Sequence, residues 1–132
     1  MKLTRRDIGV SGMAAMTALA GGASSAAPET ATALYGLISQ IITAPGKRDE
    51  LAGILLGGTR SMPGCLAYVV AADASLEEAI WITEIWTDKA SHDNSLALPE
   101  VRDAITRGRP LISSFGSHVV TTPLGGVGLP VR

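Results

Sequence analysis

A carboxylate, an indole and an imidazole fall within nine positions of the stretch TEIWTDKASHDNS, residues 83–95. They belong to Glu84, Trp86 and His92. An indole can stack on a planar ring, and an imidazole with an ordinary pKa near ~6.5, or a carboxylate, can accept a proton from that ring's hydroxyl group. These residue types therefore predict a site that binds an aromatic hydroxyl compound and removes its proton.

Each of the three residues also has a purely structural interpretation. Trp86 would serve equally well as a core side chain, and His92 could lie on the exposed side of a short helix. Glu84 could form an ion pair with an arginine such as Arg102. The sequence leaves both interpretations open for each residue.

Three further residues could complete such a site. Tyr68 lies on a neighbouring predicted strand and could donate a hydrogen bond to the same ligand. Arg107 and Arg109 follow one another closely at the predicted end of a helix, where a guanidinium could hold an oxyanion that develops on the ring. The alternative is that both arginines are solvated.

Three other chemically capable residues are interpreted as structural. Asp88 stands immediately before KASHDN, at the position of a helix N-cap. Cys65 and His118 are assigned no role in the site.

Apolar periodicity and turn residues divide the chain into strand, helix, strand, strand, helix and strand. This order predicts an α+β, ferredoxin-like βαββαβ sandwich. The second helical region is interrupted at Pro99, which suits the first turn of a new helix with Val101 and Ile105 on its inner side. The predicted ranges are strands 34–43, 65–73, 79–88 and 116–124 and helical regions 47–62 and 89–113.

The third strand has apolar residues on both faces. Alternation places Glu84 and Trp86 on one face with Ile80 and Ile82, and places Trp81 and Ile85 on the other. Helices can cover only one face of such a sheet. We therefore expect a homodimer in which the second face is covered by the sheet of a second copy. The alternative is that both tryptophans fill the core of one monomer.

The N-terminal residues 1–27 have the basic, apolar and small-residue order of a secretory signal. Arg5 and Arg6 resemble the twin-arginine export pair, and the apolar run is shorter than the ~20 residues of a membrane helix. We expect an exported protein, periplasmic or extracellular, with no stable membrane anchor. An ordinary secretory signal or a disordered tail is the alternative. Residues 28–33 are a short linker, 34–122 a single domain and 123–132 a Gly/Pro-rich tail.

The composition argues against several classes of partner and site. Residues 28–132 carry eight Lys and Arg against eleven Asp and Glu, without a basic cluster, so a nucleic-acid partner is not expected. Cys65 is the only cysteine, which rules out an intrachain disulfide. The two histidines, His92 and His118, are far apart in sequence, and the sequence predicts no metal site.

The chain resembles the antibiotic biosynthesis monooxygenase family over about residues 34–122. The similarity lies in the topology, the length, and a strand that ends in Glu-x-Trp followed by a histidine six positions later, here Glu84, Trp86 and His92. The resemblance implies a dimeric α+β barrel and, for some members, oxidation of quinols or anthrones without metal or flavin. Some members have an asparagine that holds a substrate oxygen four positions before the tryptophan, where this chain has Ile82.

These observations predict a cofactor-independent monooxygenase that oxidises a small quinol or polyphenol with molecular oxygen. Such a substrate reacts with oxygen once it loses a proton, so the protein need supply only an apolar pocket, a proton acceptor and a clamp. Two alternatives remain, a non-catalytic module that binds an apolar or aromatic ligand and a structural dimer whose core is filled by its own side chains. A cavity lined by Glu84, Trp86 and His92 would favour the first.

Overall fold

The computed structural model describes residues 33–130. Within this range no helix is long and apolar enough to cross a membrane. The elements in chain order are β1 (Tyr35–Thr43), α1 (Arg48–Gly58), β2 (Cys65–Ala72), β3 (Ala79–Trp86), α2 (Lys89–Ser95), α3 (Pro99–Gly108), a 3-10 helix (Arg109–Leu111) and β4 (Ile112–Thr121). The predicted signal, residues 1–27, and most of the predicted linker lie outside the described residues.

The four strands form one sheet in the order β2-β3-β1-β4, with every neighbouring pair antiparallel. This is the ferredoxin-like α+β arrangement that the sequence predicts. Leu37 at the start of β1 lies opposite Glu84, and Ser39 lies opposite His118 of β4. On the other side of β3, Tyr68 of β2 lies opposite Glu84. Residues from all four strands therefore meet on one side of the sheet.

The end of the second helical region differs from the prediction. The sequence suggests helix to about residue 113 and a strand from Gly116, but α3 ends at Gly108 and β4 begins at Ile112. Pro110 has no N–H group to continue α-helical hydrogen bonding, and the chain turns through the 3-10 helix. Ile112 then pairs at once with Thr43 of β1, so β4 begins four residues earlier than predicted, and it ends at Thr121 rather than at residue 124.

The helices cover one face of the sheet, as alternation predicts. Ile80, Ile82 and Trp86 are buried there. Leu51 of α1 is fully buried in the same core cluster as Ile80 and Ile82. Helices α1 and α3 approach closely at Gly58, where an added Cβ would come within 2.9 Å of the Glu100 carbonyl oxygen. Gly58, which is a weak helix former at the end of α1, thus allows the two helices to pack.

The opposite face of the sheet is apolar and is not covered by any helix in the range 33–130. Ile38, Val69 and Val119 are exposed on it, while Trp81 and Ile85 are half-buried. The indole Nε1 of Trp81 donates a 2.6 Å hydrogen bond to Asp73 Oδ2. Trp81 is therefore outside the core formed by sheet and helices.

The N-terminus of α2 is fixed by Asp88, as predicted. Asp88 Oδ1 accepts a 2.8 Å hydrogen bond from the backbone N–H of Ser91. Hydrogen bonds from the backbone and the side chain of Ser91 to the charged carboxylate hold the pKa of Asp88 below its usual value. The cap starts the short helix directly after β3 and so determines where His92 lies.

Candidate functional site

An open cavity of about 840 Å³ lies between the helix-covered face of the sheet and helices α1 and α3. Most of its lining is aliphatic or aromatic, which is typical of a small-molecule site. The apolar wall includes Ile41, Leu51, Leu55, Ile82, Ile105 and Phe115. Ile105 is 37% exposed at this cavity, whereas Val101, Ala104 and Gly108 are the buried residues of α3.

Two polar side chains, Glu84 and Tyr68, meet at the inner end of the cavity; we call them the inner pair. They are register partners on adjacent strands and both line the cavity. Glu84 Oε1 accepts a 2.9 Å hydrogen bond from the Trp86 indole Nε1. One carboxylate oxygen is thus committed to the buried indole, which holds the carboxylate in place while its second oxygen can receive a ligand proton.

Burial controls the protonation of the phenol beside Glu84. It raises the pKa of Tyr68 well above its usual value, and the negative charge of Glu84 raises it further. Burial also raises the pKa of the Cys65 thiol, with a smaller contribution from Glu84. Tyr68 therefore stays neutral at ordinary pH and acts as a hydrogen-bond donor, whereas Glu84 is the group that can accept a proton.

The predicted trio of Glu84, Trp86 and His92 comes together, but only Glu84 lines the cavity. Trp86 is 1% exposed and packs in a core cluster with Met62 and Val101. The His92 ring meets the Trp86 ring edge-on, with centroids 5.5 Å apart. The structure thus places His92 and Trp86 behind the carboxylate, where they support its position.

The two predicted arginines lie in different environments. Arg109 lines the cavity. Arg107 does not, and its Nε donates a 2.9 Å hydrogen bond to Asp103 Oδ2 on the surface of α3. Arg102, considered as a partner for Glu84, is exposed and forms no ion pair with it. Only Arg109 of the two candidates is placed to contact a ligand in the cavity.

Comparison with known proteins assigns the chain to a family. The family model described as antibiotic biosynthesis monooxygenase matches residues 34–107. A crystal structure from Chloroflexus aurantiacus, provisionally described as an antibiotic biosynthesis monooxygenase, is 54% identical, with a TM-score of 0.70 over 70% of this chain and 95% of that one. The chain belongs to the antibiotic biosynthesis monooxygenase family.

More distant members of the antibiotic biosynthesis monooxygenase family share the fold. A protein from Bacteroides thetaiotaomicron with the same provisional description is 22% identical, with a TM-score of 0.64 over 76% of this chain and 97% of that one. Another protein with this description, from Caulobacter crescentus, is 17% identical, with a TM-score of 0.59 over 69% of this chain and 88% of that one. No protein of curated function matches this chain. The fold is thus that of a monooxygenase-like or small-molecule-binding protein.

Ile82 occupies the position at which some members of the antibiotic biosynthesis monooxygenase family carry an asparagine. It is 5% exposed and forms part of the cavity wall opposite Ser39. An aliphatic side chain here cannot hold a ligand oxygen by hydrogen bonding. In this family member the polar contacts available at the inner end come from the inner pair instead.

Among the polar residues of the cavity that the sequence did not assign to the site are His118 and Ser39. Both line it, and Ser39 Oγ lies 3.1 Å from His118 Nδ1 across the β1–β4 pair. We use the name outer cluster for three residues that line the cavity along or just before the exposed strand β4: Ser39 and His118, which are within hydrogen-bond distance of each other, and Arg109, which directly precedes the start of β4. The alternation of β4 could have indicated His118, but only with the register against β1, which the bulge between Ser39 and Ile41 makes difficult to predict.

In the described part of the chain, no three His, Cys, Asp or Glu side chains lie close enough to hold a metal ion.

Proposed function

We propose that this protein is a monooxygenase that oxidises a small quinol or polyphenol with molecular oxygen, and that Glu84 is its proton acceptor. The observation that supports this most directly is the inner pair, a carboxylate and a neutral phenol side by side on the wall of a largely apolar cavity. A phenolic ligand placed there would give its proton to Glu84 and receive a hydrogen bond from Tyr68.

The proposed reaction needs only substrate, oxygen and this pair of side chains. Deprotonation by Glu84 makes the quinol electron-rich, and the quinolate transfers one electron to oxygen. Recombination of the two radicals forms a carbon–oxygen bond and, after protonation, a ring hydroperoxide. Cleavage of its O–O bond, with loss of the proton on the same carbon, releases water and leaves a hydroxyquinone. One oxygen atom enters the product and the other leaves as water.

The apolar wall would contribute in two ways. Leu51, Leu55 and Ile82 exclude water from the bound ring, which strengthens the hydrogen bond from Tyr68 to the developing ring oxyanion. Excluding water also protects reactive intermediates from side reactions. The Trp86 hydrogen bond supports the proposal further, since it fixes Glu84 without occupying both of its oxygens.

We also propose that the protein works as a homodimer in which the uncovered sheet faces meet. Apolar residues on that face, including Ile38, Val69 and Val119, are exposed, and a second copy with the same pattern would cover them. A twofold axis would bring identical surfaces together.

Oxygen uptake with a panel of quinols tests the function. The purified protein should consume one oxygen molecule per quinol and release the hydroxyquinone, identified by its absorbance and mass. Ligand binding without oxygen consumption would instead favour a non-catalytic binding protein. If no quinol or polyphenol is either bound or oxidised, the proposal is wrong.

A further inference from the structure

The charged groups of the cavity are separated into two ends. Glu84 is the only carboxylate among the described residues that line it. The outer cluster carries the guanidinium of Arg109 and the imidazole of His118. Over residues 33–130 no carboxylate lies within ion-pair distance of Arg109, in contrast to Arg107 with Asp103. The cavity thus has an acidic inner end and a basic outer end.

The strand register gives the distance between the two ends. Glu84 lies opposite Leu37 of β1, and His118 lies opposite Ser39 of β1. Glu84 and His118 are therefore two strands apart across the sheet and two residues apart along the strand direction. With strands ~4.8 Å apart and a rise of ~3.4 Å per residue, the two Cα atoms are roughly 12 Å apart. Arg109 is further still along β1, since it precedes Ile112, the partner of Thr43.

Much of the wall between Glu84 and Arg109 is apolar. Ile41 and Ile82 lie on the sheet side, and Leu51 and Leu55 of α1 lie on the helix side. A ligand that fills the cavity therefore meets hydrogen-bonding groups at one end, aliphatic surface in the middle and positive charge at the other end. The aliphatic surface favours methylene groups in that middle section.

From this arrangement we propose that the substrate is an amphiphilic acid, with an aromatic hydroxyl group at the inner pair and a carboxylate, joined by an apolar spacer, at the outer cluster. The identity of the aromatic end rests on the proposed function. The carboxylate end rests on Arg109, Ser39 and His118 alone. The sequence suggests Arg109 for an oxyanion on the ring, but neither the sequence nor the family match assigns any of the three to a separate carboxylate of the substrate.

The outer cluster has the donors that a carboxylate requires. The guanidinium of Arg109 can donate two parallel hydrogen bonds to one carboxylate. In the tautomer in which Ser39 Oγ donates to His118 Nδ1, the imidazole carries its proton on Nε2 and can donate a further bond. The negative charge of Glu84 disfavours the reversed orientation, because it would place the two carboxylates together. Attraction at one end and repulsion at the other thus fix the direction in which the substrate binds.

A matched pair of ligands tests this inference. The probes are 6-(2,5-dihydroxyphenyl)hexanoate and its methyl amide, which share the quinol and the spacer and differ in the terminal charge. Their affinities are measured by calorimetry without oxygen, so that binding is separate from chemistry. The acid should bind roughly fivefold to tenfold more tightly than the amide, as expected for one charge-assisted interaction at a partly exposed site.

Variants of two neighbouring arginines assign the preference to a residue. Arg109→Ala should abolish the difference between the two ligands, because it weakens binding of the acid more than binding of the amide. Arg107→Ala is the control, since Arg107 has the same charge two positions away but does not line the cavity. It should leave the preference intact.

The outcomes separate this inference from the proposed function. Equal affinity for acid and amide, a preference that survives Arg109→Ala, or failure of both ligands to bind would overturn the ligand class. Oxygen uptake is then measured with both quinols. A protein that prefers the acid through Arg109 but consumes no oxygen would have the proposed ligand class without the proposed reaction. A protein that oxidises both quinols but binds the acid and the amide with equal affinity would have the proposed reaction without the proposed ligand class.

Discussion

Trp86 and Glu84 are joined by a 2.9 Å hydrogen bond from the indole Nε1 to Oε1, and this bond connects the hydrophobic core to the cavity. The indole is 1% exposed, so packing on all sides fixes its orientation. The carboxylate two residues earlier on β3 lines the cavity. The core thus determines the position of the group that we propose to accept the substrate proton.

Replacement of that carboxylate tests its role. Glu84→Gln should reduce quinol-dependent oxygen uptake roughly 10²-fold or more, the usual scale for loss of an acid–base group. The amide oxygen can still accept the hydrogen bond from Trp86, so the melting temperature should change little. Glu77→Gln, an exposed residue between β2 and β3, is the matched control and should keep full activity. Full activity of Glu84→Gln itself would remove Glu84 as the proton acceptor.

His92→Ala distinguishes a direct role from a supporting one. The His92 ring contacts Trp86 and Tyr35, with centroid distances of 5.5 and 5.3 Å, and does not line the cavity. We expect a loss of stability of about 0.5–1.5 kcal/mol from the aromatic contact and a smaller loss of oxygen uptake than for Glu84→Gln. Denaturant unfolding and oxygen uptake measure the two effects. A rate as low as that of Glu84→Gln, with unchanged stability, would show that His92 is itself the proton acceptor.

The buried phenol predicts a pH dependence of stability. The pKa of Tyr68 is raised in the folded protein, so above its usual value of about 10 the unfolded chain loses this proton first. The stabilisation of the folded protein that comes from the buried neutral phenol is fully present below that pH. As the pH rises further, the free energy of unfolding falls by up to ~1.4 kcal/mol per pH unit. Urea unfolding of the wild type and Tyr68→Phe between about pH 9 and 12 measures it, and the variant should lack this part of the decline.

Tyr35→Phe provides the control for that comparison, since it removes a phenol outside the cavity and keeps Tyr68. Cys65, whose pKa burial also raises, is present in all three proteins and does not affect their difference. An identical pH profile for wild type and Tyr68→Phe would contradict the assignment.

A charge introduced at the centre of the uncovered sheet face tests whether this face is the dimer interface. Ile38, on β1 between β3 and β4, is 36% exposed on this face. Ile38→Glu should convert a dimer into a monomer, because a carboxylate would be buried in the interface without a partner. Sedimentation velocity measures the change. Leu56→Glu, on an exposed residue of α1, is the control and should remain dimeric. A stable dimer of Ile38→Glu would place the interface elsewhere.

Export is tested at Arg5 and Arg6. If these residues form a twin-arginine signal, replacement of both by Lys should leave a full-length precursor in the cytoplasm, since the receptor reads the arginine pair rather than the charge. Cell fractionation followed by mass determination of the product measures this. Unchanged export and processing would indicate an ordinary secretory signal or another route.

The sequence predicts the fold well because strand alternation and turn residues are local signals. Pro63 and Gly64 before β2, Asp88 before α2 and Pro99 at the start of α3 each determine a boundary through their own chemistry. Pro110, in contrast, ends the helical region earlier than its apolar periodicity suggests. Periodicity alone could not locate the start of β4, which depends on pairing with β1.

The site is less predictable because it depends on contacts between distant residues. Glu84 and Trp86 share a face, as alternation requires, but only packing decides that Trp86 enters the core while Glu84 borders the cavity. His118 reaches the cavity through its pairing with Ser39, 79 positions earlier. No local pattern in either segment predicts that contact.

The pairing of β1 with β4 also has a consequence for biosynthesis. Gly36 pairs with Thr121, so the edge of β1 that faces β4 has no partner until nearly all of the domain has been translated, whereas its other edge can pair with β3 earlier. Such long-range pairing slows folding relative to helices and hairpins, because a large loop must close first. Until then β1 has an open edge that another nascent chain could pair with. No ligand can find the complete binding site at this stage, since the part of the cavity wall that β4 supplies, including His118, is still untranslated.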